Sequence, residues 1–117
     1  MNKQVKELFT ASLLVLILDL PWLMVSSPYV GDMINRIQGS SLKMSYLPAV
    51  VVYIALGYLL LQTTSVMEAF YVGLATYAVY DFTNLATLKN YDISFALVDS
   101  LWGGVLFAMA RFILNRF

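Results

Sequence analysis

The chain has 117 residues, 61% of them hydrophobic and 12% charged, with seven Lys and Arg against seven Asp and Glu and neither Cys nor His. A soluble domain carries about 25% charged residues, and a fold this small buries too little of its surface to hide so much apolar area, so lipid must cover the remainder. The charge balance offers no basic face to nucleic acid, and without thiols or imidazoles there are no disulfides, no His- or Cys-held haem, no iron–sulfur cluster and none of the usual zinc sites.

The first apolar run, about Leu8–Ser27, follows Lys3 and Lys6 and ends near small residues, as a signal peptide does. Asp19 and Pro21 interrupt its centre, however, and it is longer than a signal core, so it reads as a retained helix. Next comes Pro28–Met44, which contains Gly31, Asp32, Arg36, Gly39 and Lys43. Val30, Met33, Ile34 and Ile37 recur there at helical spacing, which predicts a short interfacial helix ending at Gly39. Three further runs follow: Ser45–Thr63, Met67–Leu88 and Ile93–Leu114. Each supplies the roughly 20 residues that a membrane-crossing helix needs. The links Thr64–Val66 and Lys89–Asp92 are so short that the helices they join must be antiparallel neighbours.

The expected fold is therefore all-α, a single integral membrane domain over residues 1–117 forming an up-down-up-down four-helix bundle. Ala55, Gly57, Gly73, Ala75, Gly103 and Gly104 offer close helix approach. Arg36, Lys43 and Lys89 fall on one side of the membrane, and Lys3, Lys6, Arg111 and Arg116 on the other. The positive-inside rule then places both termini in the cytoplasm. Tyr29, Tyr46, Tyr71 and Tyr91 fall near the interfaces, where aromatic belts form, and Lys89 and Asp92 read as a surface pair.

Three acids interrupt the apolar runs: Asp19, Asp81 and Asp99. A charge at the bilayer centre costs about 2.5–3.5 kcal/mol on insertion scales, so such residues face the bundle interior and mark function. Counting about 1.5 Å per residue puts Asp19 about 17 Å along its run, Asp81 about 21 Å along its own, and Asp99 at a matching depth on the antiparallel fourth. Tyr53 reaches a similar level. Asp19-Leu-Pro-Trp22 and Asp99-Ser-Leu-Trp102 each place an indole three residues after a carboxylate, on the same helix face, where it can donate to an acid of the facing helix. Tyr77, Thr83, Asn84 and Thr87 surround Asp81 in sequence. No Lys or Arg lies at this depth, so three close carboxylates cannot all ionise cheaply. The layer should hold protons, a bound cation, or both.

The string Tyr77-Ala-Val-Tyr-Asp81-Phe-Thr83-Asn84-Leu-Ala-Thr87-Leu, with Asp19-x-x-Trp22-Leu23 and Asp99-x-x-Trp102-Gly103, resembles the signature of a bacterial predicted membrane protein family, domain of unknown function 2177. The resemblance runs over nearly the whole chain in the same order. It implies a four-helix membrane protein and supplies no activity. Members carry Trp where this chain has Tyr91, and a more basic loop than Pro28–Met44.

These features lead to the expectation of a homo-oligomeric transporter or channel for protons, a cation or a small polar solute. Its site would consist of Asp19, Asp81 and Asp99, with Asn84, Thr83 and Tyr53 as neutral oxygens and Trp22 and Trp102 as walls. The identity of any metal is left open and no cofactor is expected. Two alternatives are a non-catalytic subunit of a larger membrane assembly and a membrane-embedded acid–base enzyme acting on a lipid. The last predicts a lipid-sized cavity at the acid layer. Without a mid-membrane Lys, repeated Arg or a nucleotide loop, the chain is not a retinal protein, a voltage sensor or a nucleotide-driven pump.

Overall fold

A computed structural model describes residues 2–116. Four helices account for nearly all of them: α1 (Lys3–Gln38), α2 (Tyr46–Leu61), α3 (Val66–Thr87) and α4 (Ile93–Leu114), with no strand among the described residues. The all-helical expectation holds, and α2, α3 and α4 fall close to the expected runs, whereas α1 is much longer than Leu8–Ser27.

The C-terminal part of α1 differs from expectation in one respect. The helix does not break before Pro28 into a second, interfacial helix but continues for 36 residues with Pro21 and Pro28 inside it. Each proline removes one backbone N–H from the ladder, so tertiary contacts must hold the extension. Met33 and Ile37 pack on Tyr91, Ala96, Leu85 and Phe95 in a small second core. Tyr29 donates its hydroxyl to Asp92, and Arg36 bonds the same carboxylate at 3.2 Å. Asp92 is thus paired across helices, with Arg36 in place of the expected Lys89, and although it is the N-cap of α4 it makes no side-chain capping bond. Gly39 does end the helix where the sequence places the stop: its φ of 75° is left-handed, and its N–H returns to the Asn35 carbonyl.

At α3 the start is set by Ser65-Val-Met-Glu68. The Ser65 hydroxyl accepts from the Glu68 N–H at 3.1 Å, and the Glu68 carboxylate accepts from the Thr64 N–H at 2.8 Å, a variant of the reciprocal capping box. At the same end, Arg111 does not reach outward. Its guanidinium donates to the Leu60 carbonyl at 2.7 Å and to Thr63 Oγ1 at 3.2 Å, closing the C-terminus of α2. Arg111→Leu is expected to lower stability by about 1.5 kcal/mol, the scale of hydrogen bonds to a charged group. Thermal unfolding in detergent measures it, and an unchanged midpoint would remove this role.

The helices pair as two hairpins. α3 and α4 pack most closely, α1 lies on α2, and α1 meets α4 to join the pairs. Gly73, Gly103 and Gly104 all sit at the α3–α4 contact, and Gly57 admits Ser12 of α1. Ala55 and Ala75, also expected at helix contacts, face outward instead. α2 and α3 touch little although only four residues separate them. The main core runs through Ala11, Val15, Leu56, Leu60, Ala69, Leu106, Phe107 and Ala110.

By length and composition, α1 and α4 can each cross a bilayer, whereas α2 is apolar but has only 16 residues. α3 is 22 residues long but diluted by Thr76, Asp81, Thr83 and Asn84. Large apolar side chains such as Phe9, Met24, Val25, Leu47 and Val79 stand on the outer surface. So much outward apolar area fits lipid rather than water.

Candidate functional site

The two Asp-x-x-Trp segments engage reciprocally. Trp102 Nε1 donates to Asp19 Oδ1 at 2.7 Å, and Trp22 Nε1 donates to Asp99 Oδ1 at 2.8 Å. A spacing of three puts acid and indole on one face of each helix. Reversing one helix against the other then sets each acid opposite the other's indole. The two indoles stack, with centroids 5.9 Å apart and planes at 27°. Phe95 stacks on the far side of Trp22 at 6.4 Å, and Tyr29 on Phe95 at 5.8 Å.

Asp19 takes a second donor from α2, the Tyr53 hydroxyl at 2.5 Å on Oδ2. Both its oxygens are therefore met, and hydrogen bonds to a carboxylate are the stronger kind. Asp81 is differently placed. It is 0% exposed, and Tyr91 donates to its Oδ1 at 2.8 Å, while its Oδ2 has no donor. Burial holds the Tyr91 phenol above its ordinary value, and the Asp81 carboxyl adds to this against a lowering contact from Asn84. The phenol thus stays protonated, as a donor must.

The α3–α4 register fixes what Asp81 faces. Gly73 lies against Phe107 and the Gly103 carbonyl, and Tyr77 against Gly103. One turn further along α3 and one turn back along α4 bring Asp81 opposite Asp99. Ser100 is also adjacent to Asp81, but its hydroxyl is spent on the Ala96 carbonyl at 2.7 Å.

Beside this layer, where α2 and α3 diverge, is a cavity of about 440 Å³. Asp19, Asp99, Asn84 and several phenols supply its polar wall, and Leu23, Val30, Met33, Ile34, Val52 and Leu56 much of the rest. Val52, Tyr80 and Met44 line it and are also well exposed, so it opens sideways on the outer surface.

All three acids are therefore brought together, with Tyr53, Trp22 and Trp102 in contact with them. Asn84 lines the cavity; Thr83 does not, because it faces outward and its carbonyl accepts from the Thr87 hydroxyl. Trp102 and Asp81 lie behind the cavity rather than in its wall. Tyr91, expected in an aromatic belt, is 8% exposed and serves Asp81 instead. It sits beyond the end of α3, where helical spacing from Asp81 no longer applies, so no periodic signal marks it. Tyr80, Thr76 and Phe95 are further lining residues outside the sequence reading.

Residues 4–114 match the family model described as predicted membrane protein (DUF2177). The chain belongs to this family. No curated protein and no solved structure matches it. As a DUF2177 protein it is a membrane protein, which accounts for the apolar side chains on its outer surface. The DUF2177 match takes in α2, α3 and α4 entire and α1 from its second residue.

Proposed function

We propose that this DUF2177 chain crosses the membrane with all four helices and carries a small lipophilic organic cation, bound in the cavity between its two hairpins. The observation that carries the reading is the cavity itself. Its volume of about 440 Å³ falls in the range of small-molecule pockets, about 300–1,000 Å³. Carboxylates at one level, with no Lys or Arg among the described residues that line the cavity, favour a positive guest. Trp22, Tyr53, Tyr77, Tyr80, Tyr91 and Phe95 in the wall add aromatic faces, which attract desolvated cations by about 2 kcal/mol. Apolar walls with a sideways opening suit a solute that arrives from lipid, whereas a bare ion would need a hydrated path.

Tryptophan fluorescence tests the reading, because Trp22 lines the cavity. Protein in lipid nanodiscs is titrated with tetraphenylphosphonium. Saturable quenching is expected, with affinity weakened about tenfold or more in Asp99→Asn, since losing one charged contact costs about 1.5–3 kcal/mol. Quenching that never saturates in the unsubstituted protein would sink the proposal.

The cavity lies within one chain, so binding needs no second copy. A homo-oligomer enters the proposal at the level of flux, and the proposal puts both termini in the cytoplasm, as the positive-inside rule favours. Native mass spectrometry of gently extracted protein reads the first, and a monomer that still transports would remove it. A second reading, acid–base chemistry on a lipid, is favoured by the facing Asp81 and Asp99 carboxyls beside a lipid-accessible cavity. It predicts turnover of a bound lipid that Asp81→Asn abolishes while tetraphenylphosphonium binding survives.

A further inference from the structure

The three acids of the layer carry six carboxyl oxygens, and their donors are unequally shared. Asp19 has two donors, Trp102 and Tyr53. Asp99 has one, Trp22, and Asp81 has one, Tyr91. The buried Oδ2 of Asp81 is left without a donor, on a helix whose register sets it opposite Asp99. Among the described residues, every other group that faces the pair is neutral or negative. From α1 come Trp22 and Asp19, from α2 Tyr53, from α3 itself Tyr77 and Asn84, from α4 Ser100, and from the α3–α4 link Tyr91. Arg36, toward that end of α1, is held by Asp92.

Two facing carboxylates with no cation and an empty donor position are repulsive and desolvated. One proton removes both faults: it halves the charge and supplies the missing O–H donor. Asp99 lines the cavity while Asp81 stands behind it, so the pair has one member in contact with a guest and one that is not.

We propose that Asp81 and Asp99 hold a single shared proton, and that a cation entering the cavity beside Asp99 expels it. In the exchange the carboxyl O–H bond breaks and the proton passes to water at the cavity's end beside the α1–α2 link, which Met44 lines. The freed carboxylate balances the incoming positive charge, so the layer's net charge is unchanged. This makes the protein a proton–cation exchanger. Only the expulsion step rests on the function proposed above; the shared proton belongs to the empty protein.

Infrared spectroscopy of the ligand-free protein in lipid tests the proton first. The unsubstituted chain should show a protonated-carboxyl C=O band at neutral pH that is lost in Asp81→Asn and, separately, in Asp99→Asn. Glu68→Gln, at the exposed start of α3, should leave it intact. Both Asn variants keep the shape of the side chain and place an amide donor against the remaining acid, so the fold should persist. A missing band in the unsubstituted protein, or a band that survives both substitutions, overturns the shared proton. Tetraphenylphosphonium is then added in weak buffer with a pH indicator. Loss of the band with release of about one proton per bound cation supports exchange, as charge balance requires. A bound cation that leaves the band in place overturns the exchange. A band without any cation binding upholds the proton site and defeats the transport reading instead.

Discussion

Gly73→Ala is expected to lower stability by about 3 kcal/mol, the upper end of overpacking costs. A Cβ at this position would stand 2.2 Å from the Gly103 carbonyl oxygen and 2.7 Å from Phe107 Cβ. The first of these is backbone and cannot rotate away, so α3 and α4 must separate. Because the same contact sets Asp81 opposite Asp99, the variant should also lose the neutral-pH carboxyl band. Gly31→Ala is the matched control. Gly31 lies within α1 with no heavy atom within 4 Å of the added Cβ, so alanine there should raise stability by about 0.5–1 kcal/mol through helix propensity. Thermal unfolding in detergent separates the two. If both changes were neutral, close approach of α3 and α4 would not be what holds the hairpin.

Trp102→Phe is expected to cost about 2–3 kcal/mol. It keeps most of the stacked aromatic surface but removes the donor on Asp19 Oδ1, leaving a buried carboxylate half-met. The diagnostic is the double variant. Asp19→Asn in the Trp102→Phe background removes the uncompensated charge, and its amide can still pair with the Tyr53 hydroxyl. It should therefore be more stable than Trp102→Phe alone, a non-additive result of the kind that contacting residues give. Simple addition of two losses would show that Asp19 does not depend on the indole. The symmetric exchange, Trp22→Phe against Asp99, should cost less, because Asp99 has the neighbouring Asp81 carboxyl with which to share a proton.

The sequence by itself determined the four long apolar helices, since long apolar runs divided by charged links leave little choice in lipid, but not that the first of them runs on through Pro28. It also determined that three acids and Tyr53 share one level, because depth along a helix is simple arithmetic at fixed rise. The Asp-x-x-Trp repeats carried the possibility of indole-to-acid bonds across helices, because spacing fixes a helix face. The tertiary structure alone decided the pairing. Which indole meets which acid depends on α1 lying against α4, and α3 does not touch α1 closely enough to compete.

Three further outcomes have the same origin. Pro28 reads as a break when only the local ladder is considered, yet Met33, Ile37, Tyr29 and Arg36 bind the extension to the α3–α4 hairpin and keep α1 continuous. Thr83 and Asn84 are adjacent in sequence, but a helix turns about 100° per residue, so one faces outward and the other the cavity. Tyr91 lies past a chain reversal, where periodicity carries no information, and only the folded link brings its hydroxyl to Asp81. Local spacing fixes depth and face; the choice of partner belongs to the packing of whole helices, which no window of the sequence contains.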